Sequence, residues 1–383
     1  MEKTRRIFSK LTDGRQTHKV RYDLIDIVIL TIVGVMCGCT DWTEIAMLCE
    51  IRIDYLRDYL ELPNGVPSHD TFNRVMSLID PQQLALCYQE WVSTILPDRN
   101  MDVISIDGKT VKGSGGKGFK PLHLVSAWSS AAGLTLGQVK TEEKSNEITA
   151  IPKLLKTLNL VGCIVTIDAL GCQTKIADAI IKQQGNYVLA VKENQESLHN
   201  EIRDYFEEAE KSNYLDLQSY RAETTERNRG REEHRSLVQI GDCKHLSRFH
   251  DFAGARSIIR MHRITNRDGK RTEEVHYYIS SLEGSDKSAS ELLRAIRAHW
   301  GIESCHWLLD VTFMEDTCRT RDLIAAENLS VARKIALALA KRIPDDIVEK
   351  YSHNKAKWTS LKKRLYAASL YPEYMMQILL IGM

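Results

Sequence analysis

The segment DVISIDG, residues 102–108, alternates apolar and polar side chains and closes on an aspartate followed by a glycine. A period of two marks a strand, because successive side chains leave opposite faces of a pleated ribbon. GCIVTIDAL, residues 162–170, also runs apolar residues into an aspartate. Asp107 and Asp168 are both read as strand-end residues entering loops. Open α/β sheets bind ligands beyond the carboxyl ends of their strands, whereas a single aspartate there commonly just caps a turn. Two on neighbouring strands would repel each other, and a cation between them would let both ionise.

The flanking segments extend the same architecture. HLVSAWSS (123–130), GLTLGQVK (133–140) and NYVLAVK (186–192) read as strands, with helices expected near 147–158 and 173–184. Three strands followed by alternating helices and strands predict an α/β mixed sheet with an antiparallel flank. Residues 1–97 read as all-helical, with Asp41 and Ser68 as helix caps. The helix from Ser68 to Ile79 follows the turn sequence PNGVPS; it fits the second member of a DNA-binding helix-turn-helix or an ordinary helix pair. Short strands in HRSLVQIG, ARSIIRMHRIT and VHYYISSL form a β-rich insertion at about 216–282, and the chain is helical from Ser288 onward. The expected division is 1–97, 98–343 and a helical tail at 344–383.

HWGIESCHWLLDVTFMED, residues 299–316, carries the third carboxylate of interest. At about 100° per residue, His299, Glu303, His306 and Asp310 share one narrow helical face. Leu293, Ile296, Trp300, Trp307, Val311 and Met314 form a stripe about a quarter-turn away, expected to pack the core. Glu303 completes a site with Asp107 and Asp168, joins the two histidines around zinc, or lies with them on a solvated surface face of the helix. The order is not that of HExxH, and three carboxylates without thiolates favour Mg²⁺ or Mn²⁺.

Composition narrows the classes. The 383 residues are 43% hydrophobic and 27% charged, with a formal net charge of +1, so any polyanion partner must meet locally gathered positive charge. Lys3, Arg5, Arg6, Lys10, Arg15, Lys19 and Arg21 form one such cluster; Lys355, Lys357, Lys362, Lys363 and Arg364, near Trp358 and Tyr366, form another. Either cluster can equally be a solvated face. Nine scattered cysteines suit a reduced cytosolic chain better than a disulfide framework. The apolar run Ile27 to Cys39 is shorter than the roughly 18–20 residues that span a bilayer, so no membrane association and a cytoplasmic, nucleoid-associated location are expected.

Read together, GVPSHDTFNRVMSLIDP, SIDGKTVKGS, ITAIPKLL, TIDALGCQTKIA, NYVLAVKENQ, AHWGIESCHWLLDVTFMEDTCRTR and AAENLSVARKIALALAK resemble the H-repeat-associated group of bacterial insertion-sequence transposases over nearly the whole chain. The resemblance implies a helical N-terminal region and a ribonuclease H-like DDE catalytic domain with a β-insertion. It places the triad at Asp107, Asp168 and Glu303, separated by 61 and 135 residues. It further implies two Mg²⁺ or Mn²⁺ ions, cleavage and strand transfer of double-stranded DNA at terminal inverted repeats, and a homodimer or larger assembly on DNA ends. Lys109, Lys112, Lys192, His299, His306, Arg319 and Arg321 are the candidate DNA contacts. In the family three residues usually separate this glutamate from the next His-Trp pair, whereas here only Ser304 and Cys305 do. The missing residue turns the downstream helix by about 100°. The places of the Tyr, Arg and Lys that surround the glutamate in related transposases fall here on Ile296, His299 and Asp310, and those roles do not carry over. A disabled, DNA-binding remnant and a metal-dependent nuclease without strand transfer are the alternatives.

Overall fold

Nine strands form one sheet because the segment predicted as an insertion pairs with the central strands instead of folding apart from them. The computed structural model describes residues 2–96, 101–141, 147–228, 230–241, 243, 245–352 and 360–381. Strands β1 (Val103–Val111), β2 (Leu122–Ser129) and β3 (Leu134–Thr141) form an antiparallel meander. Strands β4 (Ile164–Ile167) and β5 (Asn186–Val191) add to β1 in parallel, with helices α7 (Glu147–Leu155) and α8 (Thr174–Lys182) in the connections. After α9 (Glu196–Lys211) come four long antiparallel strands, β6 (Ser219–Asn228), β7 (Arg231–Ile240), β8 (Ser257–Arg267) and β9 (Lys270–Ser280). β9 pairs antiparallel with β5, giving the order β3-β2-β1-β4-β5-β9-β8-β7-β6.

The two faces of the sheet follow the period-two pattern. Ile104, Ile106, Val165, Ile167, Leu189 and Val191 join the main apolar core. Val103, Ile164 and Val188 face the other way and pack on α10 (Asp286–Ala298). α11 (Trp300–Val311) follows after His299 and lies over β1 and β2.

The N-terminal helices are α1 (Glu2–Phe8), α2 (Leu24–Met36), α3 (Trp42–Ile51), α4 (Ile53–Arg57), α5 (His69–Met76) and α6 (Pro81–Ile95). Asp41 and Ser68 cap α3 and α5 as expected, accepting hydrogen bonds from Glu44 N and Thr71 N. α5 buries Phe72, Val75 and Met76 and exposes His69, Asp70, Asn73 and Arg74. α2 packs on α12 (Leu323–Lys341), and one continuous apolar core joins the helical region to the sheet. Three of the seven residues of the N-terminal basic cluster are paired internally, Arg5 with Asp26, Lys10 with Glu90 and Arg15 with Asp13, while Lys3, Arg6, Lys19 and Arg21 are exposed. Of the C-terminal cluster, Lys355, Lys357 and Trp358 lie outside the described residues. Helices α13 (Asp345–Tyr351), α14 (Leu361–Leu370) and α15 (Pro372–Ile381) complete the described chain, in which no helix is long and apolar enough to cross a membrane.

Candidate active site

Asp107 does not end its strand, contrary to the reading from sequence. β1 continues to Val111 because Gly108–Val111 pair with Leu122–Val125 of β2, so Asp107 lies within the ribbon. Asp168 does follow the last residue of β4, where it caps a short turn by accepting from Gly171 N at 3.3 Å. The parallel register Ile106↔Ile167 sets the two aspartates at the same level on adjacent strands. Period two puts Asp107 on the face covered by α10 and α11, the face that carries Val103 and Ile164.

Glu303 projects from the first turn of α11 and is exposed, as is Asp168. Burial pushes the Asp107 carboxyl up to about 7; the Gly108 amide opposes this, and the charges of Asp168, Glu147 and Glu303 add to the rise. The charges of the other two predicted carboxylates thus reach Asp107. Among the described residues, however, no group of three or more His, Cys, Asp and Glu side chains forms a ready-made ion site. An all-oxygen donor set with one carboxyl poised to take up a proton fits a hard divalent cation, which would let all three ionise. The zinc alternative of two histidines around Glu303 likewise finds no assembled cluster among the described residues.

Each histidine turns its Nδ1 toward another group of the protein. His306 Nδ1 lies 3.5 Å from Asp107 Oδ2. Burial, reinforced by Lys334 and Lys109, pushes its pKa down to about 3, so the ring is neutral at pH 7. His299 Nδ1 is 3.0 Å from Thr166 Oγ1, which donates to Ser105 Oγ. This hydrogen-bonded floor ties the α10–α11 junction to β1 and β4.

Lys109 is the clearest departure among the candidate DNA contacts. It is buried, and its Nζ meets Asp310 at 2.6 Å, Glu315 at 3.0 Å and Asp316 at 3.2 Å. A lysine enclosed by three carboxylates is not presented to a phosphate. Lys112 is exposed and bound to Asp316 at 3.0 Å, while Lys192, Arg319 and Arg321 are exposed.

The expected tryptophan stripe is also corrected. Trp300 is 47% and Trp307 60% exposed, and Val311 and Met314 are exposed with them. Ile302, Cys305 and Leu309, on the opposite side of the helix, are buried instead. Gly301 permits this packing, since a Cβ there would sit 2.9 Å from Trp128 Nε1.

Three features were not anticipated. Glu147, at the start of α7, binds His123 Nε2 at 2.6 Å, and His123 Nδ1 lies 2.8 Å from Thr110 Oγ1; the histidine and glutamate are both buried. Gly108 makes room for this pair, because a Cβ would lie 2.2 Å from Glu147 Oε1 and 2.8 Å from His123 Nε2. Gly108→Ala is expected to cost about 1–3 kcal/mol through overpacking, read as a lowered urea midpoint with unchanged slope. The third feature is the ion cluster around Glu315, which is fully buried between Lys109 and Arg333. The sequence signal for it is the Arg333-Lys334 pair inside the Ala/Leu-rich helix α12, since buried charges require partners.

The comparisons name the family. Residues 98–339 match the model described as Transposase DDE domain, and residues 5–92 match the DDE_Tnp_1-associated model. The chain belongs to the DDE transposase family. It is 38% identical over 370 residues to YhhI of Escherichia coli strain K12, an H repeat-associated protein named as a transposase, covering 94% of this chain and 96% of the relative. It is 39% identical over 344 residues to YncI of Escherichia coli O157:H7, also named as a transposase, covering 88% and 87%. The solved synaptic complex of piggyBac transposase with hairpin DNA aligns with a TM-score of 0.39 at 12% identity, over 97% of this chain and 79% of that one, too slight a likeness to carry an argument.

Proposed function

We propose that this chain is an insertion-sequence transposase in which Asp107, Asp168 and Glu303 hold two Mg²⁺ or Mn²⁺ ions and cut and rejoin DNA at the element's ends. The observation that carries the reading is the Ile106↔Ile167 register, which sets two aspartates side by side beneath the Glu303 helix. The order β3-β2-β1-β4-β5, antiparallel in the first three strands and parallel in the rest, supports a ribonuclease H-like core spanning 98–343 with its β-insertion at about 216–282. On this reading residues 1–97 are the associated helical region and 344–383 a helical tail. The partners are double-stranded DNA ends, a target duplex and at least one further copy of the chain.

When bound, such ions activate the attacking water or 3′-hydroxyl and stabilise the leaving 3′-oxygen. The protein's own contribution is placement. The Gly108 amide donates to Asp107 Oδ1 at 2.8 Å, and neutral His306 stands at the other oxygen. His299, Thr166 and Ser105 fix the start of the Glu303 helix against the strands. Shortening by one residue after Glu303 leaves α11 unbroken from Trp300 to Val311 with His306 at Asp107, which favours a working enzyme over a remnant.

The test is metal-dependent nicking and joining of DNA carrying the element's own ends to a plasmid, comparing wild type with Glu303→Gln. Joined products from wild type alone are expected. Nicking without joining would make the protein a nuclease. End-binding with neither reaction would make it a remnant.

A further inference from the structure

We propose that Lys109 and Asp310 form a positioning clamp that sets the register of the Glu303 helix against the Asp107 strand, and with it the spacing of the metal-holding carboxylates. This inference rests on the transposase reading above. Lys109 lies two residues beyond Asp107 in β1, so both side chains leave the same face of the strand. Asp310 lies four residues beyond His306, one turn further along the same side of α11. The strand advances about 6.6 Å from residue 107 to 109 and the helix about 6 Å from 306 to 310. Strand and helix therefore meet at two rungs of matching height: neutral His306 stands 3.5 Å from Asp107 as a packing contact, and Lys109 pairs with Asp310 at 2.6 Å.

A slip of the helix by one residue moves it about 1.5 Å and turns it about 100°. Neither rung survives that displacement, so the pair admits a single register. The far end of the clamp is anchored as well. Lys109 also holds Glu315 and Asp316 in the turn that ends the helical segment, and Asp316 in turn accepts from Lys112 N at 3.1 Å and contacts Lys112 Nζ at 3.0 Å. At the near end His299 binds Thr166. Glu303 thus sits on a helix fixed at both ends to the strands that carry Asp107 and Asp168. The Lys109–Asp310 contact thus joins a strand and a helix inside the protein.

The experiment uses the full chain, with Mn²⁺ binding followed by electron paramagnetic resonance and Mn²⁺-dependent nicking of element-end DNA, for wild type, Asp310→Asn and Asp310→Glu. Asp310→Asn removes one rung but leaves Lys109 on the buried Glu315. Asp310→Glu keeps the charge and displaces it by one methylene. Misplacement of about 1 Å at a reacting centre can cost about a hundredfold in rate. We expect kcat to fall about ten- to a hundredfold in Asp310→Asn, with KM for DNA within about twofold of wild type and a severalfold rise in half-saturating Mn²⁺; Asp310→Glu should move the same way by less. Wild-type kcat and Mn²⁺ binding in both variants overturn the clamp. So does a loss confined to DNA affinity, which would make Asp310 part of the DNA surface. An unfolded Asp310→Asn beside a fully active Asp310→Glu would reduce the contact to a stability role and also overturn it. If wild type binds Mn²⁺ but cuts no DNA, the transposase reading fails while the Mn²⁺ measurement still judges the clamp. A wild type that neither binds nor cuts sinks both.

Discussion

Asp107→Asn and Asp168→Asn are each expected to fold and bind element-end DNA like wild type, yet to nick it about a thousandfold more slowly or not at all in Mg²⁺ or Mn²⁺. Ions at a phosphoryl centre contribute several kcal/mol of charge stabilisation, and each 1.36 kcal/mol is tenfold in rate. An amide keeps the shape of the carboxylate and removes the charge that would hold the cation. Asp107 is the sharper case, because burial first, and then its neighbours Asp168, Glu147 and Glu303, oppose its ionisation. Removing its charge relieves that repulsion, so the variant should be no less stable than wild type while it loses activity. Single-turnover nicking beside a thermal melt measures both. A variant that retains a tenth of wild-type activity would sink the assignment.

The second large effect is on stability. Glu315→Ala is expected to cost about 3–5 kcal/mol, the usual loss when one partner of a buried ion pair is removed. Glu315 is 0% exposed, and its removal leaves Lys109 and Arg333 without their shared carboxylate. Burial alone would raise the Glu315 pKa, but Lys109, Arg333 and Lys334 outweigh it and hold the group below 4.5. Its contribution is therefore fully present above about pH 4.5 and is lost as the pH falls through the lowered folded value. Urea titrations of wild type and Glu315→Ala should show their widest separation near neutrality and a narrowing gap in acid. A gap that stays constant down to pH 3 would contradict the charge-based account.

The elements that carry the candidate residues were readable from sequence, and the errors have identifiable causes. Strand alternation found β1 and β4, and helical periodicity found the segment that carries His299, Glu303 and His306. The alternation could not show where β1 ends, because Gly108–Val111 owe their strand geometry to pairing with β2 rather than to their own pattern. The tryptophans misled for a different reason. α11 is apolar on two opposite arcs, one with Trp300, Trp307 and Val311 and one with Ile302, Cys305 and Leu309. Periodicity finds both arcs but not which one faces inward, and here the arc with the larger side chains faces outward. The pairings of Lys109 with Asp310 and of His123 with Glu147 join residues distant in sequence, so only the folded chain brings them together.

The pairing of β5 with β9 bears on how the enzyme comes into being. A chain emerging from the ribosome as far as Val191 already has both aspartates on paired strands, but its sheet stops at β5, a bare edge open to other chains. The strand that covers this edge begins at Lys270, nearly 80 residues later, and the helix with Glu303 comes only after that. Closing so long a loop delays the pairing. Products truncated before it should therefore be prone to aggregate, and they lack the helix that carries Glu303.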